Sequence, residues 1–391
     1  MAEWLSIIGM GEDGPEGLTP AARAALEGAG VVFGGPRHLA LAGAGDRGRA
    51  WPVPFDIAPV LACRGLAVAV LASGDPFWFG AGGALAAALR PDEWRAFPAP
   101  GVVSLAAARM GWRIEDTACL GLHAAPFDGL AAHLRPGARI IATLRDGPAA
   151  GALAGWLMAR GWGDTALSVM ERLGGPRERL RATTAAGFDL TDVQAPVAVA
   201  LTPQGGVPRP RGPGLPDDAF AHDGQITRRP VRVLTLAALA PAPGAVLWDL
   251  GAGSGSVSIE WALAGGRAIA VERRADRAAN IAANIARFAL AGQVTAITAD
   301  SAALPDLPAP DAVFVGGGLT EGLAQALWDR LPPGARIVAN AVTLETESLL
   351  AALHARHGGS LLRIELAEAA PLGGLRGWTP SRPVVQWAVT R

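Results

Sequence analysis

The sequence predicts a two-domain α/β protein whose C-terminal half is a Rossmann-like, mostly parallel, seven-stranded sheet. Three observations carry this reading. The chain has 391 residues, more than one average domain holds, and half of them are hydrophobic, enough for two cores. A stretch dominated by proline and glycine, Thr202-Pro-Gln-Gly-Gly-Val-Pro-Arg-Pro-Arg-Gly-Pro-Gly-Leu-Pro216, interrupts every periodic pattern. Beyond it, short apolar runs alternate with amphipathic ones, the pattern of a doubly wound sheet. The expected organisation is one domain over 1–203, a linker at 204–213 and a second domain over 214–391.

In the C-terminal half, Ala245-Val-Leu-Trp-Asp249 reads as a strand ending in a glycine turn, and Ser256 to Ala264 as the helix after it. Ala268 to Glu272 is the next strand, and Asp276 to Ala289 a helix with apolar residues at helical spacing. Val294 to Thr298 and Ala312 to Val315 read as strands, and Leu323 to Leu331 as a helix closed by the turn Pro332-Pro333-Gly334. Arg336 to Asn340 is a strand, Glu345 to His357 a helix, and Leu361 to Leu366 and Val384 to Trp387 are late strands. No helix precedes the last strand, which therefore has the option of entering antiparallel. In the N-terminal half, Leu5–Gly9, Gly30–Gly34, Ala67–Leu71 and Arg139–Leu144 read as strands, and Thr19–Glu27 and Gly82–Leu89 as helices.

Composition removes several function classes. Net charge is −1 and no segment is strongly basic, which argues against a nucleic-acid partner held by phosphate contacts. Every cationic side chain apart from histidine is arginine, and there is no tyrosine. Schiff-base chemistry on lysine and a Walker-type phosphate loop are thereby excluded. Acid–base work falls to Asp, Glu, His, Cys, an arginine-bound water or the substrate. Cys63 and Cys119 have no CxxC spacing, against a disulfide framework or a cysteine zinc site, and no metal is expected. The N-terminus reads as a first strand without a basic leader, and no uncharged apolar run reaches spanning length. A soluble, cytoplasmic protein without membrane contact is expected.

The most informative segment is Asp249-Leu-Gly-Ala-Gly-Ser-Gly-Ser256. Gly251, Gly253 and Gly255 let the backbone turn tightly and approach a ligand, with Ala252 and Ser254 between them. The free N–H groups of the following helix favour an anionic group such as a carboxylate. Glu272 ends the second strand, where it can accept both hydroxyls of a ribose. Asp300, followed by Ser301, ends the third strand, in reach of an adenine amine. The set points to S-adenosylmethionine rather than to a dinucleotide. A nicotinamide-dependent oxidoreductase, the alternative, favours the longer GxGxxG spacing and a separate catalytic His or Tyr. Gly316-Gly-Gly318 follows the fourth strand where nucleic-acid amino-methyltransferases place a Pro-Pro-aromatic motif. Its absence argues against a base as substrate, and the glycines leave room for a bulky, flat one.

Several motifs then resemble a family. Leu215-Pro-Asp-Asp-Ala-Phe220, Gln225-Ile-Thr-Arg228, the glycine loop, Asp311 to Gly318 and Val338 to Glu345 resemble the CbiT type of cobalamin-biosynthesis methyltransferase. Ile8-Gly-Met-Gly-Glu-Asp-Gly14, Glu16 to Thr19, Ala72-Ser-Gly-Asp-Pro76, Pro100 to Ser104 and Gly121-Leu-His123 resemble the CbiE type. In this order the halves resemble the fused, decarboxylating precorrin-6Y methyltransferases. The resemblance implies an N-terminal tetrapyrrole methylase fold of two α/β subdomains and a C-terminal class I methyltransferase, each with one S-adenosylmethionine.

It further implies a reaction. A carboxylate-rich precorrin macrocycle is methylated at carbons 5 and 15 and loses the carbon-12 acetate carboxyl as carbon dioxide, giving precorrin-8 and two S-adenosylhomocysteine. Carbon 15 and decarboxylation belong to the C-terminal module, and carbon 5 to the N-terminal one. Gly74 and Asp75 would lie in the N-terminal cofactor loop, Ser104 would cap the next helix near the donor, and Thr227 would contact the C-terminal cofactor. Relatives often have a hydroxyl side chain where this chain has Val103 and lysine where it has Arg228. Arg228, Arg229, Arg376 and Arg382 are candidates for substrate carboxylates, and Trp378, in an expected loop before the last strand, for stacking on the ring. Glu345 and Asn340, expected at a strand end, and His123 in the N-terminal site are candidate catalytic groups. Relatives self-associate, so a homo-oligomer is expected.

Overall fold

A computed structural model describes residues 3–210, 212–301 and 307–391. The chain divides into two compact units, residues 1–209 and 210–391. In the first, β1 (Leu5–Met10), α1 (Pro20–Gly28), β2 (Val31–Gly34), α2 (Pro36–Leu41), β3 (Gly48–Ala50), α3 (Ala58–Leu61), β4 (Val68–Ser73), α4 (Gly82–Ala88) and β5 (Trp94–Phe97) form one layer system. Its sheet runs β3-β2-β4-β1-β5 with every pairing parallel. Ile7, Ile8, Val70 and Leu71 are buried in it, as near-continuous apolar runs in a sheet covered on both faces must be.

After α5 (Val102–Met110) come β6 (Thr117–Gly121), β7 (Arg139–Leu144), α6 (Pro148–Met158), β8 (Ala166–Glu171), β9 (Arg179–Thr184) and β10 (Val197–Thr202). They build a second sheet, β6-β7-β10-β8-β9, in which only β6 and β7 pair in parallel. The sequence showed four strands in this half and the described residues form ten. The missed ones are short, such as β5, or alternate in exposure without a strong apolar run, such as β9, whose arginines and threonines carry little hydrophobic signal.

The segment 203–216 contains no helix or strand among its described residues. Its start is bonded to the first unit, with Gly206 N–H donating to Gly161 O at 2.8 Å. Its end is bonded to the second, where Leu215 N–H donates to Glu260 Oε1 at 3.1 Å.

The second unit contains α7 (Arg229–Leu239), β11 (Val246–Leu250), α8 (Ser256–Leu263), β12 (Arg267–Glu272), α9 (Ala275–Arg287), β13 (Val294–Thr298), β14 (Ala312–Val315), α10 (Glu321–Arg330), β15 (Arg336–Ala341) and α11 (Leu344–His357). It ends with β16 (Ser360–Ile364), β17 (Ala367–Leu372), β18 (Leu375–Pro380) and β19 (Val384–Thr390). The seven-stranded sheet has the order β13-β12-β11-β14-β15-β19-β16. Its first five strands are parallel, and β19 enters antiparallel between β15 and β16. The strand order reverses between β11 and β14, which fixes the ligand crevice at the C-terminal ends of those strands. One expectation is corrected here. Residues 371–380 are not a loop, because β17 and β18 pair as a separate antiparallel hairpin. Among the described residues no helix is long and apolar enough to cross a membrane.

Candidate active sites

In the second unit the glycine loop lies between β11 and α8 at the strand-order reversal. Gly251, Gly253 and Gly255 all have left-handed backbones, with φ of 69°, 59° and 70°, which only glycine adopts without strain. A Cβ on Gly251 would sit 3.0 Å from Gly317 O, so the loop and the glycine run after β14 approach each other backbone to backbone. Glu272 is buried and ties this loop to β12: its carboxylate accepts from Gly253 N–H at 2.9 Å and from Arg274 N–H at 3.0 Å.

Asp249 is buried beneath the loop. Its Oδ2 accepts from Ser258 Oγ at 2.7 Å and Ser258 N–H at 3.2 Å, while Oδ1 has no hydrogen-bond partner. Burial pushes this carboxyl up to about 6, against the Ser258 hydrogen bonds and with the help of the Glu272 charge. Ser254 Oγ is likewise buried without a partner. Such orphaned polar atoms in a backbone cradle that any Cβ would crowd are what a cofactor with polar groups satisfies. The loop therefore fits S-adenosylmethionine.

Sequence reasoning missed the clamp under the loop. Asn284 on α9 is fully buried, donates to Ser254 O at 2.9 Å and Ala221 O at 3.0 Å, and accepts from Ala221 N–H at 2.8 Å. It fastens the segment bearing Thr227 to the glycine loop. An amide on a helix face has no sequence signature, since its partners are backbone groups far along the chain. Arg232 holds the same segment from the other side: wholly buried, it donates to Thr227 O at 2.6 Å, to Asp217 Oδ1 at 2.9 Å and to Glu260 Oε1 at 2.7 Å. Thr227 is half-buried, and Arg228 is exposed, 3.5 Å from Asp217.

The other expected residues fall in different surroundings. Asp300 and Ser301 follow β13 instead of ending it, since the strand stops at Thr298; Asp300 is exposed and Ser301 half-buried. Gly316 bonds back to Leu250 O at 3.1 Å, at the mouth of the crevice. Asn340 lies on β15 but both ends of its amide are taken: Nδ2 donates to Thr235 Oγ1 at 3.0 Å and Oδ1 accepts from Gln386 Nε2 at 2.9 Å. Glu345 is not at a strand end. It is exposed in the first turn of α11, because Thr343 caps that helix through Thr346 N–H. Arg376 and Trp378 share one face of the β17–β18 hairpin, where Trp378 is 76% exposed and so is no core residue. Arg229, Arg376 and Arg382 are exposed, and among the described residues Arg376 and Arg382 form no ion pair.

In the first unit the loop Ser73-Gly-Asp-Pro76 follows β4 at the C-terminal edge of the parallel sheet. Gly74 has φ 58°, and three glycines meet here: a Cβ on Gly74 would lie 2.4 Å from Gly101 Cα, and one on Gly9 within 1.8 Å of Gly74 O. Asp75 accepts from Phe77 N–H at 2.9 Å, which fixes the turn. Ser104 does not cap α5. Gly101 occupies that position and Ser104 is exposed inside the helix, since the helix begins at Val102. His123 is exposed past the end of β6, with its ring edge-on to Phe79 at 5.9 Å. A second group went unread in the sequence. Arg37 ion-pairs with Glu12 and donates to Ser73 Oγ at 2.9 Å, and buried His38 lies 2.9 Å from both Arg37 Nη2 and Ser73 Oγ. Burial, then the Arg37 charge, lowers His38 to about 4, so it is neutral at pH 7.

Comparison with known proteins gives these two sites a common context. Residues 5–189 match the family of tetrapyrrole (corrin/porphyrin) methylases, and residues 218–391 match the precorrin methyltransferase domain. A precorrin-6Y C(5,15)-methyltransferase [decarboxylating] from Sinorhizobium sp is 44% identical over 100% of this chain and 97% of its own length. Two single-activity relatives match less of the chain. A cobalt-precorrin-7 C(5)-methyltransferase of Salmonella typhimurium is 33% identical over 45% of this chain and 88% of its own. A probable cobalt-precorrin-6B C(15)-methyltransferase (decarboxylating) of Pyrobaculum calidifontis is 38% identical over 37% of this chain and 76% of its own. The chain belongs to the family of decarboxylating precorrin-6Y C(5,15)-methyltransferases.

Proposed function

We propose that this chain methylates a precorrin macrocycle at carbons 5 and 15 and removes the carbon-12 acetate carboxyl as carbon dioxide, using one S-adenosylmethionine in each of two modules. The observation that carries the reading is the presence of two separate glycine cradles, at Gly74 and at Gly251–Gly255, each at the C-terminal edge of a parallel sheet. Single-activity relatives that each match under half of the chain support a division of labour. Carbon 15 and decarboxylation are assigned to residues 214–391 and carbon 5 to residues 1–203, joined by residues 204–213.

When bound, the cofactor supplies a sulfonium methyl, an electrophile that needs no activation. The protein's task is to align an electron-rich ring carbon at roughly 3–3.5 Å and to keep water out. Glu272, Asp249 and the loop amides position the C-terminal cofactor, with Thr227, Gly316, Asp300 and Ser301 around it. Gly74, Asp75 and Ser104 surround the N-terminal one. Arg228, Arg376, Arg382 and Trp378 meet the macrocycle, Glu345 and His123 orient it or move a proton, and Asn340, its amide held by Thr235 and Gln386, supports the pocket from β15. Loss of carbon dioxide leaves electrons on the conjugated ring, which the same pocket then methylates. The hairpin face bearing exposed Leu372 and Leu375, opposite Trp378, favours self-association into a homo-oligomer.

Weighing the products of single-site variants of the whole chain tests the assignment. Gly253→Val blocks the C-terminal cradle, and carbon-15 methylation and carbon dioxide release should disappear together. Asp75→Ala weakens the N-terminal loop, and a singly methylated, decarboxylated product should accumulate. A product methylated at carbon 15 that keeps its acetate carboxyl would refute the coupling.

A further inference from the structure

The first unit holds a cationic centre that methyl transfer itself does not require. Glu12 follows β1, Arg37 and His38 follow β2, Ser73 ends β4, and Arg172 follows β8 of the second sheet. The turn carrying Arg172 is pressed against the loop after β1: a Cβ on Gly175 would lie 2.5 Å from Glu12 Cβ, and one on Gly174 3.1 Å from Leu105 on α5. Glu12 in turn ion-pairs with Arg37, which bonds Ser73 of the donor loop. One arginine therefore comes from each sheet where these two loops meet.

Arg172 has two unusual features. Its backbone is left-handed, φ 51°, a conformation costly for a side chain of this kind and concentrated at functional positions. Its side chain is half-buried, yet among the described residues it has no ion pair or hydrogen bond. Its backbone alone is engaged: the N–H donates to Pro196 O at 2.9 Å and the carbonyl accepts from Gly175 N–H at 3.2 Å. Burial, then the like charge of Arg172, holds the Arg37 guanidinium below its ordinary value. Glu12 is paired with Arg37 and His38 is neutral, so neither is an ion-pair partner of Arg172.

We propose that Arg172, with Arg37 beside it, binds one carboxylate of the tetrapyrrole and so seats the macrocycle over the Ser73–Pro76 loop. This rests on the reading of the first unit as the carbon-5 methylating module. A planar guanidinium grips a carboxylate through two parallel hydrogen bonds, and an anion between two guanidiniums removes their repulsion.

The test uses the whole chain with Arg172→Ala, Arg172→Lys and Arg172→Gly. The KM for carbon-5 methylation should rise about 10-fold or more in the alanine and glycine variants, with partial recovery in the lysine variant. Carbon-15 methylation and carbon dioxide release in the same chain should not change. Arg172→Gly relaxes the left-handed backbone, so it should melt no lower than the parent while still losing substrate affinity, which a merely structural arginine would not produce. An unchanged carbon-5 KM overturns the proposal. A loss confined to S-adenosylhomocysteine affinity hands the arginine to the cofactor's own carboxylate and overturns the macrocycle assignment. A parent chain that adds no methyl at carbon 5 overturns the underlying functional reading as well, and the parent reaction alone reveals that case.

Discussion

The carboxylate of Glu272 accepts the amide proton of Gly253 at 2.9 Å, so the last side chain of β12 is bonded to the middle of the glycine loop after β11. The same carboxylate also accepts from Arg274 N–H. Two backbone donors hold it in place before any ligand arrives, and the direction of its remaining lone pairs is set by the fold.

Replacing Glu272 with alanine should therefore loosen the loop and remove an acceptor for the cofactor together. Hydrogen bonds to charged groups contribute about 1.5–3 kcal/mol, so S-adenosylhomocysteine affinity at the C-terminal site should fall roughly 10- to 100-fold. Calorimetric titration of the whole chain should still reveal N-terminal binding at the parent affinity. Equal weakening at both sites would contradict the separation of the two cradles.

Asp249 makes the second unit sensitive to pH in a definite direction. Its folded value, about 6, lies above its ordinary 3.8 because burial disfavours the charge. Stability associated with this group is complete below about pH 4 and declines as pH rises through about 6. About two units correspond to about 3 kcal/mol. Asp249→Asn keeps an acceptor for Ser258 and abolishes the titration. Relative to the parent, the variant should gain stability between pH 4 and 6 and hold a constant advantage above. Denaturant midpoints at pH 4, 5 and 7 measure this; an advantage that does not grow with pH would refute it.

His38 acts in the opposite sense in the first unit. Its folded value, about 4, lies below its ordinary 6.5, through burial and then the Arg37 charge. The neutral ring is stable above pH 6.5, and that stability is lost as pH falls towards 4, in total about 3 kcal/mol. His38→Gln should flatten this acid limb of the N-terminal unfolding transition. An acid limb of unchanged depth in the variant would assign it to other groups.

The contrast between these groups explains how much was readable in advance. Asp249, Gly251–Gly255 and Glu272 act through local order along the chain, a strand end followed by a turn, and that order is written in sequence spacing. Asn284 and Arg232 act through backbone groups brought near by folding, Ala221 and Ser254 for one and Thr227 for the other, and no spacing encodes those meetings. Ser104 and Glu345 show the limit from the other side. Each lies in an expected segment, but a helix starting at Val102 or capped by Thr343 turned it to solvent. The hairpin of Arg376 and Trp378 was missed because β17 and β18 pair with each other and bury neither face, leaving no alternation of buried and exposed residues to mark them.

The buried pair of Arg232 and Glu260 gives the last expectation. Arg232 has no exposed surface, and Glu260 takes its Nε–H at 2.7 Å as well as the amides of Gly214 and Leu215. Removing one partner of such a pair leaves the other charge buried, at about 3–5 kcal/mol. Arg232→Met should cost about that much in the second unit's unfolding transition. It should also weaken C-terminal cofactor binding, because Arg232 holds the carbonyl of Thr227. Glu260→Gln keeps one of the two acceptor oxygens and leaves Arg232 its bonds to Asp217 and to the carbonyl of Thr227, so it should spare more of the cofactor affinity. If the two variants lost cofactor affinity equally, the bond to Thr227 would not be what positions that segment, and the charge balance of the pair would be the controlling quantity instead.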